Sequence, residues 1–153
     1  MAMALEEARF AAEEGEVPVG AVVVHPERGI VARARNQKES IKDATAHAEV
    51  LAIGQASEAL GNWRLEGVTL YSTLEPCPMC AGAILQARVP RVIYGATDPK
   101  GGAVESVVEL FQPGLFNHDV HWQGGVLDEE CGQLLRDFFQ GRRLFGDQGK
   151  SLG

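Results

Sequence analysis

No stretch of the chain reaches the roughly 18 consecutive apolar residues that a membrane-spanning helix requires, and no basic segment precedes an apolar core at its start. The opening residues, MAMALEEARFAAEEGE, carry five glutamates instead, so they read as an amphipathic surface helix rather than a secretory leader. Basic residues are in deficit as well: 14 lysines and arginines against 21 acidic residues leave a net charge of −7. That balance argues against indiscriminate tracking of nucleic-acid phosphates and leaves room only for a local basic patch. Cysteine is scarce and odd in number, three in 153 residues, which excludes a complete disulfide framework. The tight Cys-x-x-Cys pair points to metal or redox chemistry in a reducing compartment, with the cytoplasm as the expected address. Repeats and linkers are absent, so one domain over 1–153 is expected, with a loose Gly-rich tail from about 146.

What is present suits a soluble domain with a substantial core: 45% of residues are hydrophobic and 23% charged. Helical spacing of Leu5, Ala8 and Ala12 predicts a first helix from about Ala4 to Glu14, closed by Gly15. The β-branched run from Val17 to Val24 predicts a central strand, with Ile30 to Ala34 as its hairpin partner. A polar loop, Gln37 to Asp43, leads to a helix over Ala46 to Leu60 with Thr45 as N-cap and Gly61-Asn62 as stop. Then come a strand over Val68 to Leu74, a helix from the Pro76-Cys77-Pro78 turn to about Arg88, and a short strand over Arg91 to Tyr94. A short helix near Val104 to Leu110 and a strand within Asp119 to Gln123 follow. The last helix has the cleanest periodicity, with Leu127, Cys131, Leu134, Leu135, Phe138 and Phe139 on one stripe. Alternating strands and helices imply an α/β domain whose helices cover a mixed sheet.

Two short motifs carry the chemistry. Thr45 to Glu49 reads TAHAE, and 28 residues after Glu49 comes Cys77 of Pro-Cys-Pro-Met-Cys. Together they offer three good zinc ligands, His47, Cys77 and Cys80, and leave Glu49 free. A catalytic zinc takes three protein ligands and keeps the fourth tetrahedral position for water, whereas a structural zinc closes all four. The remaining cysteine, Cys131, falls on the apolar stripe of the last helix and reads as a small core residue. With Cys77 near the N-cap and Pro78 at the first helical position, both thiols sit where unpaired N–H groups favour the metal-binding thiolate. Disulfide exchange is the rival for Cys-x-x-Cys, but it needs neither the flanking prolines nor the His-x-Glu.

Glu49 poses a geometric problem, because residues two apart on a regular helix do not face each other. The pair can share a site only if His47 lies in the irregular entry turn. Alone, Glu49 would read as a solvated glutamate in a helix's first turn, and the Pro-Cys-x-x-Cys partner reverses those odds. Zinc lowers the pKa of a bound water to about 7, so hydroxide is available at neutral pH. A carboxylate beside it can take the water's proton, deliver it to a ring nitrogen and then protonate departing ammonia. Such chemistry is hydrolytic deamination at an amidine-like carbon of a heteroaromatic base. His-x-Glu with Pro-Cys-x-x-Cys is the signature of the zinc nucleobase deaminases.

From about Gly15 to Phe145 the chain resembles the bacterial tRNA-specific adenosine deaminases. EVPVGAVVV, the isolated Asn36, DATAHAE, NWRL, TLYSTLEPCPMCAGAI, RVIYGATDPKGGA, FNH and DFFQGRR carry the likeness. The zinc motif alone is shared by the whole cytidine-deaminase-like superfamily, and the longer stretches are more specific. The resemblance implies a three-layer α/β/α cytidine-deaminase-like fold with a mixed five-stranded sheet, one Zn2+ per subunit, and a homodimer with pockets completed across its interface. It implies deamination of the wobble adenosine of an arginine tRNA anticodon to inosine, with the anticodon stem-loop as partner. It further implies that Asn36 hydrogen-bonds the flipped base and Asp98 contacts the neighbouring nucleotide. On the residues alone, Asn36 is equally a strand-end turn residue and Asp98 a loop acid before Pro99. Asn117 and His118 either line the substrate cleft or cap a turn, and Phe138 and Phe139 read as core before base-stacking platforms. A deaminase of a free base such as guanine or cytosine is the alternative enzyme. A zinc-binding interaction module is the alternative outside enzymes.

Overall fold

A computed structural model describes residues 1–150, and for 142–150 the helical backbone alone. In chain order the elements are α1 (Ala2–Glu13), β1 (Gly20–His25), β2 (Gly29–Arg35), α2 (Ala48–Leu60), β3 (Thr69–Leu74), α3 (Pro78–Gln86), β4 (Arg91–Ala96), β5 (His121–Gln123) and α4 (Asp128–Lys150). The tail expected from residue 146 falls on this last stretch and on 151–153, which lie outside the described residues.

The strands form one sheet in the order β2-β1-β3-β4-β5. β1 runs antiparallel to β2 and β3, while β3, β4 and β5 are mutually parallel, so the sheet is mixed as expected. Alternation along the strands sorts the two faces. Ala21, Val23, Ala32, Ala34 and Leu70 join Ala48, Ala52 and Ala56 of α2 and Ala81 and Ile84 of α3 in the main core. The opposite face carries α1 and α4. There Gly20 lets α1 lie directly on β1, since a Cβ would meet the carbonyl oxygen of Ala4 at 2.0 Å. Gly95 makes the same room for Cys131 of α4, whose Sγ would lie 2.5 Å from a Cβ. Cys131 is thus the buried core residue its stripe suggested. Arg33 and Arg35 of β2 also point to the α1 face and clamp the nearly buried Glu7 at 3.2 and 3.1 Å, with Glu6 and Glu14 as outer partners.

Three expectations need correction. The helix carrying Glu49 is capped by His47, not Thr45, whose hydroxyl is bonded to Asp43 at 2.7 Å. No helix forms over 104–110, because the N–H groups of Val104, Glu105 and Ser106 all turn to the carboxylate of Glu75. The stripe of α4 is only partly covered: Phe139 is 41% exposed and stands edge-on to Phe138 rather than in the core.

Candidate metal centre and active site

Two helix starts build the site. Strand β3 ends at Leu74, and the Glu75-Pro76 step delivers Cys77 as the N-cap of α3 with Pro78 opening the helix. This is the start predicted from the prolines. His47 is the N-cap of α2 in an extended conformation, φ −76° and ψ 150°. Its extended backbone lies outside the helical period, which removes the i, i+2 objection and lets His47 and Glu49 face one point. Neither N-cap side chain makes the usual capping hydrogen bond, so both remain available to a metal.

The His47 Nδ1 atom lies 3.6 Å from Cys77 Sγ and 3.5 Å from Cys80 Sγ. Zinc bonds of about 2.3 Å to sulfur and 2.0 Å to nitrogen at tetrahedral angles predict N···S separations of roughly 3.5 Å. The three donor atoms therefore fit one tetrahedral ion, and all lie within 4.8 Å of one another. Among the described residues no other group of three such donors gathers.

Charge is arranged to match. The hydrogen bond from Cys80 holds the Cys77 thiol down to about 4, helped by His47 against the cost of burial. Cys80 is pushed far up by its bond to Cys77, by burial and by the charge of Glu49, so it keeps the proton the two thiols share. The bond to Cys77 raises the His47 imidazole above its ordinary value, burial opposing. Burial raises Glu49, which is 4% exposed, while a hydrogen bond with Cys80 and the nearby imidazole pull the other way. A buried carboxylate beside three metal-binding donors is the constellation expected of a proton shuttle.

The other anticipated residues separate into two groups. Asn36 is buried, donates to the Val17 carbonyl at 3.3 Å and accepts from the Lys38 N–H at 3.1 Å. Val17 and Asp98 both line a cavity of 1240 Å³ at the carboxyl ends of β3 and β4, with Lys100, Trp122, Arg136 and Phe139. Asp98 braces its own turn, its Oδ1 accepting the N–H groups of Lys100 and Gly101, each at 3.2 Å. Asn117 and His118 lie elsewhere, around a 440 Å³ cavity with Arg64 and Arg88, beside Gly67 and Pro90 at the amino ends of the same strands.

Residues 1–143 match a family model described as MafB19-like deaminase. The tRNA-specific adenosine deaminase of Bacillus subtilis (strain 168) is 53% identical over 140 residues, covering 92% of this chain and 86% of that protein. The chain belongs to the tRNA-specific adenosine deaminase family. Among solved structures, one from a study of A-to-I editing by tRNA:A34 deaminases at the wobble position is 51% identical, with a TM-score of 0.83 over 88% of this deaminase and 97% of that chain. A guanine deaminase from Bacillus subtilis is 33% identical, with a TM-score of 0.59 over 92% of this deaminase and 88% of that chain. The cytidine-deaminase-like fold implied by the resemblance is therefore the fold observed.

Two buried carboxylates of the deaminase escaped the sequence reading. Glu16 accepts the N–H groups of Glu39 and Ser40, at 2.7 and 3.2 Å, and so ties down the loop that leads to His47. Glu75 gathers the 98–106 turn in the same way. Burial raises the Glu75 carboxyl, but bonds from Ser106 and the surrounding N–H groups outweigh it and leave the group below its usual range. The only local signals were an acid at a strand end and the Gly101-Gly102 pair, neither of which names its partner.

Proposed function

We propose that this deaminase converts the wobble adenosine of a tRNA anticodon, in an arginine tRNA, to inosine. The observation that carries the chemistry is the tetrahedral spacing of His47, Cys77 and Cys80 with Glu49 buried beside them. The 53% identity to a tRNA-specific relative, against 33% to the guanine deaminase, favours RNA over a free base. Held by these three side chains, a zinc ion would supply a water acidic enough to ionise near neutral pH. Glu49 takes a proton from the attacking water and passes it to the ring nitrogen as the C6–O bond forms. It then takes the proton left on the new C6 hydroxyl and gives it to the amine, so that the C6–N bond breaks, ammonia leaves and C6 keeps a carbonyl. Asn36 holds the flipped base by hydrogen bonds, and Asp98 meets the adjacent nucleotide at the mouth of the large cavity. Lys100, Arg136, Trp122 and Phe139 give that cavity cations and stacking surfaces despite the acidic balance of the chain.

A homodimer belongs to the same reading. Val107, Val108, Leu115 and Phe116, each 42–56% exposed, offer an apolar surface to a second copy. Asn117 follows Phe116 directly. Since it lies roughly 20 Å from the metal end by the length of a six-residue strand, it would serve only a partner subunit's site. Thiolate ligands fit a reducing cytoplasm. No helix among the described residues is long and apolar enough to cross a membrane.

The test offers zinc-loaded protein an arginine anticodon stem-loop with wobble adenosine, free adenosine, cytidine and guanine, and follows ammonia and inosine. Turnover of the stem-loop alone is expected. Turnover of a free base alone would keep the deamination chemistry and discard the RNA. Stoichiometric zinc without turnover of anything would leave a metal-binding interaction module.

A further inference from the structure

The buried carboxylate of Glu75 is the most heavily hydrogen-bonded side chain near the site, yet it touches neither the metal-binding atoms nor the large cavity. One oxygen accepts the Asp98 N–H at 3.0 Å and the Ser106 hydroxyl. The other accepts the N–H groups of Val104, Glu105 and Ser106, at 3.0, 2.9 and 3.0 Å. Its own backbone is tied to Ala96 of β4 at 2.8 Å, and the next residue, Pro76, accepts the Ala103 N–H at 2.8 Å. Glycine at 102 is required by this arrangement, because a Cβ there would stand 2.2 Å from the Glu75 carboxyl carbon. On the other side, the chain reaches Cys77 in two residues, and prolines at 76 and 78 fix φ on both sides of the ligand.

We propose that Glu75 is a positioning residue that sets the 98–106 turn, and with it Asp98, at a fixed offset from the metal ligand Cys77. Five donors converge on one carboxylate from a segment with no helix or strand of its own. Remove the acceptor and that segment loses its common anchor, while the metal ligands keep theirs in α2 and α3. The inference rests on reading Asp98 as a nucleotide contact. Misplacing a contact by about 1 Å can cost on the order of 100-fold in rate, so a carboxylate that never meets the substrate can still govern how well it is held.

Glu75→Gln is the near-isosteric test, since its amide turns hydrogens toward N–H donors. Zinc-loaded full-length protein is compared with wild type in metal content, in amide hydrogen exchange, and in kinetics on the stem-loop. We expect unchanged zinc stoichiometry, faster exchange confined to residues 98–106, and kcat/KM lowered roughly 10- to 100-fold, chiefly through KM. In the Glu75→Gln background, Asp98→Ala should cost less than it does in wild type, because the two act through one contact. Equal cost in both backgrounds, or exchange unchanged over 98–106, overturns the proposal. Should Glu75→Gln fail to fold, Ser106→Ala removes one donor and must move exchange and KM in the same direction. If wild type is inert on the stem-loop, the functional reading fails on its own, and the exchange comparison still decides Glu75.

Discussion

His47 and Cys77, 3.6 Å apart between Nδ1 and Sγ, are each the N-cap of a helix. Both positions ordinarily favour Ser, Thr, Asp or Asn, and a good cap contributes roughly 0.5–2 kcal/mol. Here neither side chain caps its helix. What the fold gains instead is two positive helix ends converging on one point, where they favour a thiolate and the carboxylate of Glu49. Local stability is given up at two helix starts so that imidazole and thiol can meet.

Zinc uptake should expel protons. Without metal the two thiols hold one proton, on Cys80, while Cys77 ionises at about 4. Bound to zinc, both are thiolates and His47 is neutral. Affinity therefore rises with pH, and at pH 7 at least one proton leaves per ion. Calorimetric titration in buffers of different ionisation enthalpy reads that number directly; zero protons would contradict the shared-proton arrangement.

Glu49→Gln separates metal binding from turnover. The amide keeps the size of the buried side chain and removes the shuttle, so kcat should fall by on the order of 100- to 10,000-fold. Zinc content should stay at one per chain, because Glu49 is outside the group of donors. Burial already disfavours the Glu49 charge, so the variant should melt no lower than wild type. Simultaneous loss of zinc would make Glu49 a structural support of the site.

How far the sequence foretold this site depends on whether each feature is local. Cys77 followed by Pro78 is a local signal, and the start of α3 falls where it pointed. Two residues' error at α2 arose because threonine is the better capping residue by propensity, whereas Asp43 had already taken the Thr45 hydroxyl. The helix anticipated over 104–110 was lost to a carboxylate 29 to 31 positions away, which no window of local propensity contains. Periodicity placed Phe139 on the apolar stripe of α4, but periodicity cannot say what covers a stripe, and Phe139 faces the large cavity. Asn117 stands at the amino ends of β3 and β4 for a similar reason: the motif names a residue type, and the sheet decides at which end it stands.

Two glycines should respond oppositely to alanine, and the contrast tests how closely α1 rests on the sheet. At Gly20 a Cβ would fall 2.0 Å from the Ala4 carbonyl oxygen and 2.7 Å from the Ala8 nitrogen. Those atoms belong to helix backbone, so α1 must lift from β1 as a body and strain the Glu7 clamp on Arg33 and Arg35. Overpacking of this kind costs roughly 1–3 kcal/mol, and Gly20→Ala should lower the urea midpoint accordingly. Gly54 is an exposed residue within α2, and a methyl group added there would meet nothing within 4 Å. Alanine there removes backbone entropy from the unfolded chain and should stabilise by about 1 kcal/mol. Midpoints measured at unchanged slope decide both. A Gly20→Ala protein as stable as wild type would mean that α1 does not rest on β1 as closely as the 2.0 Å approach requires.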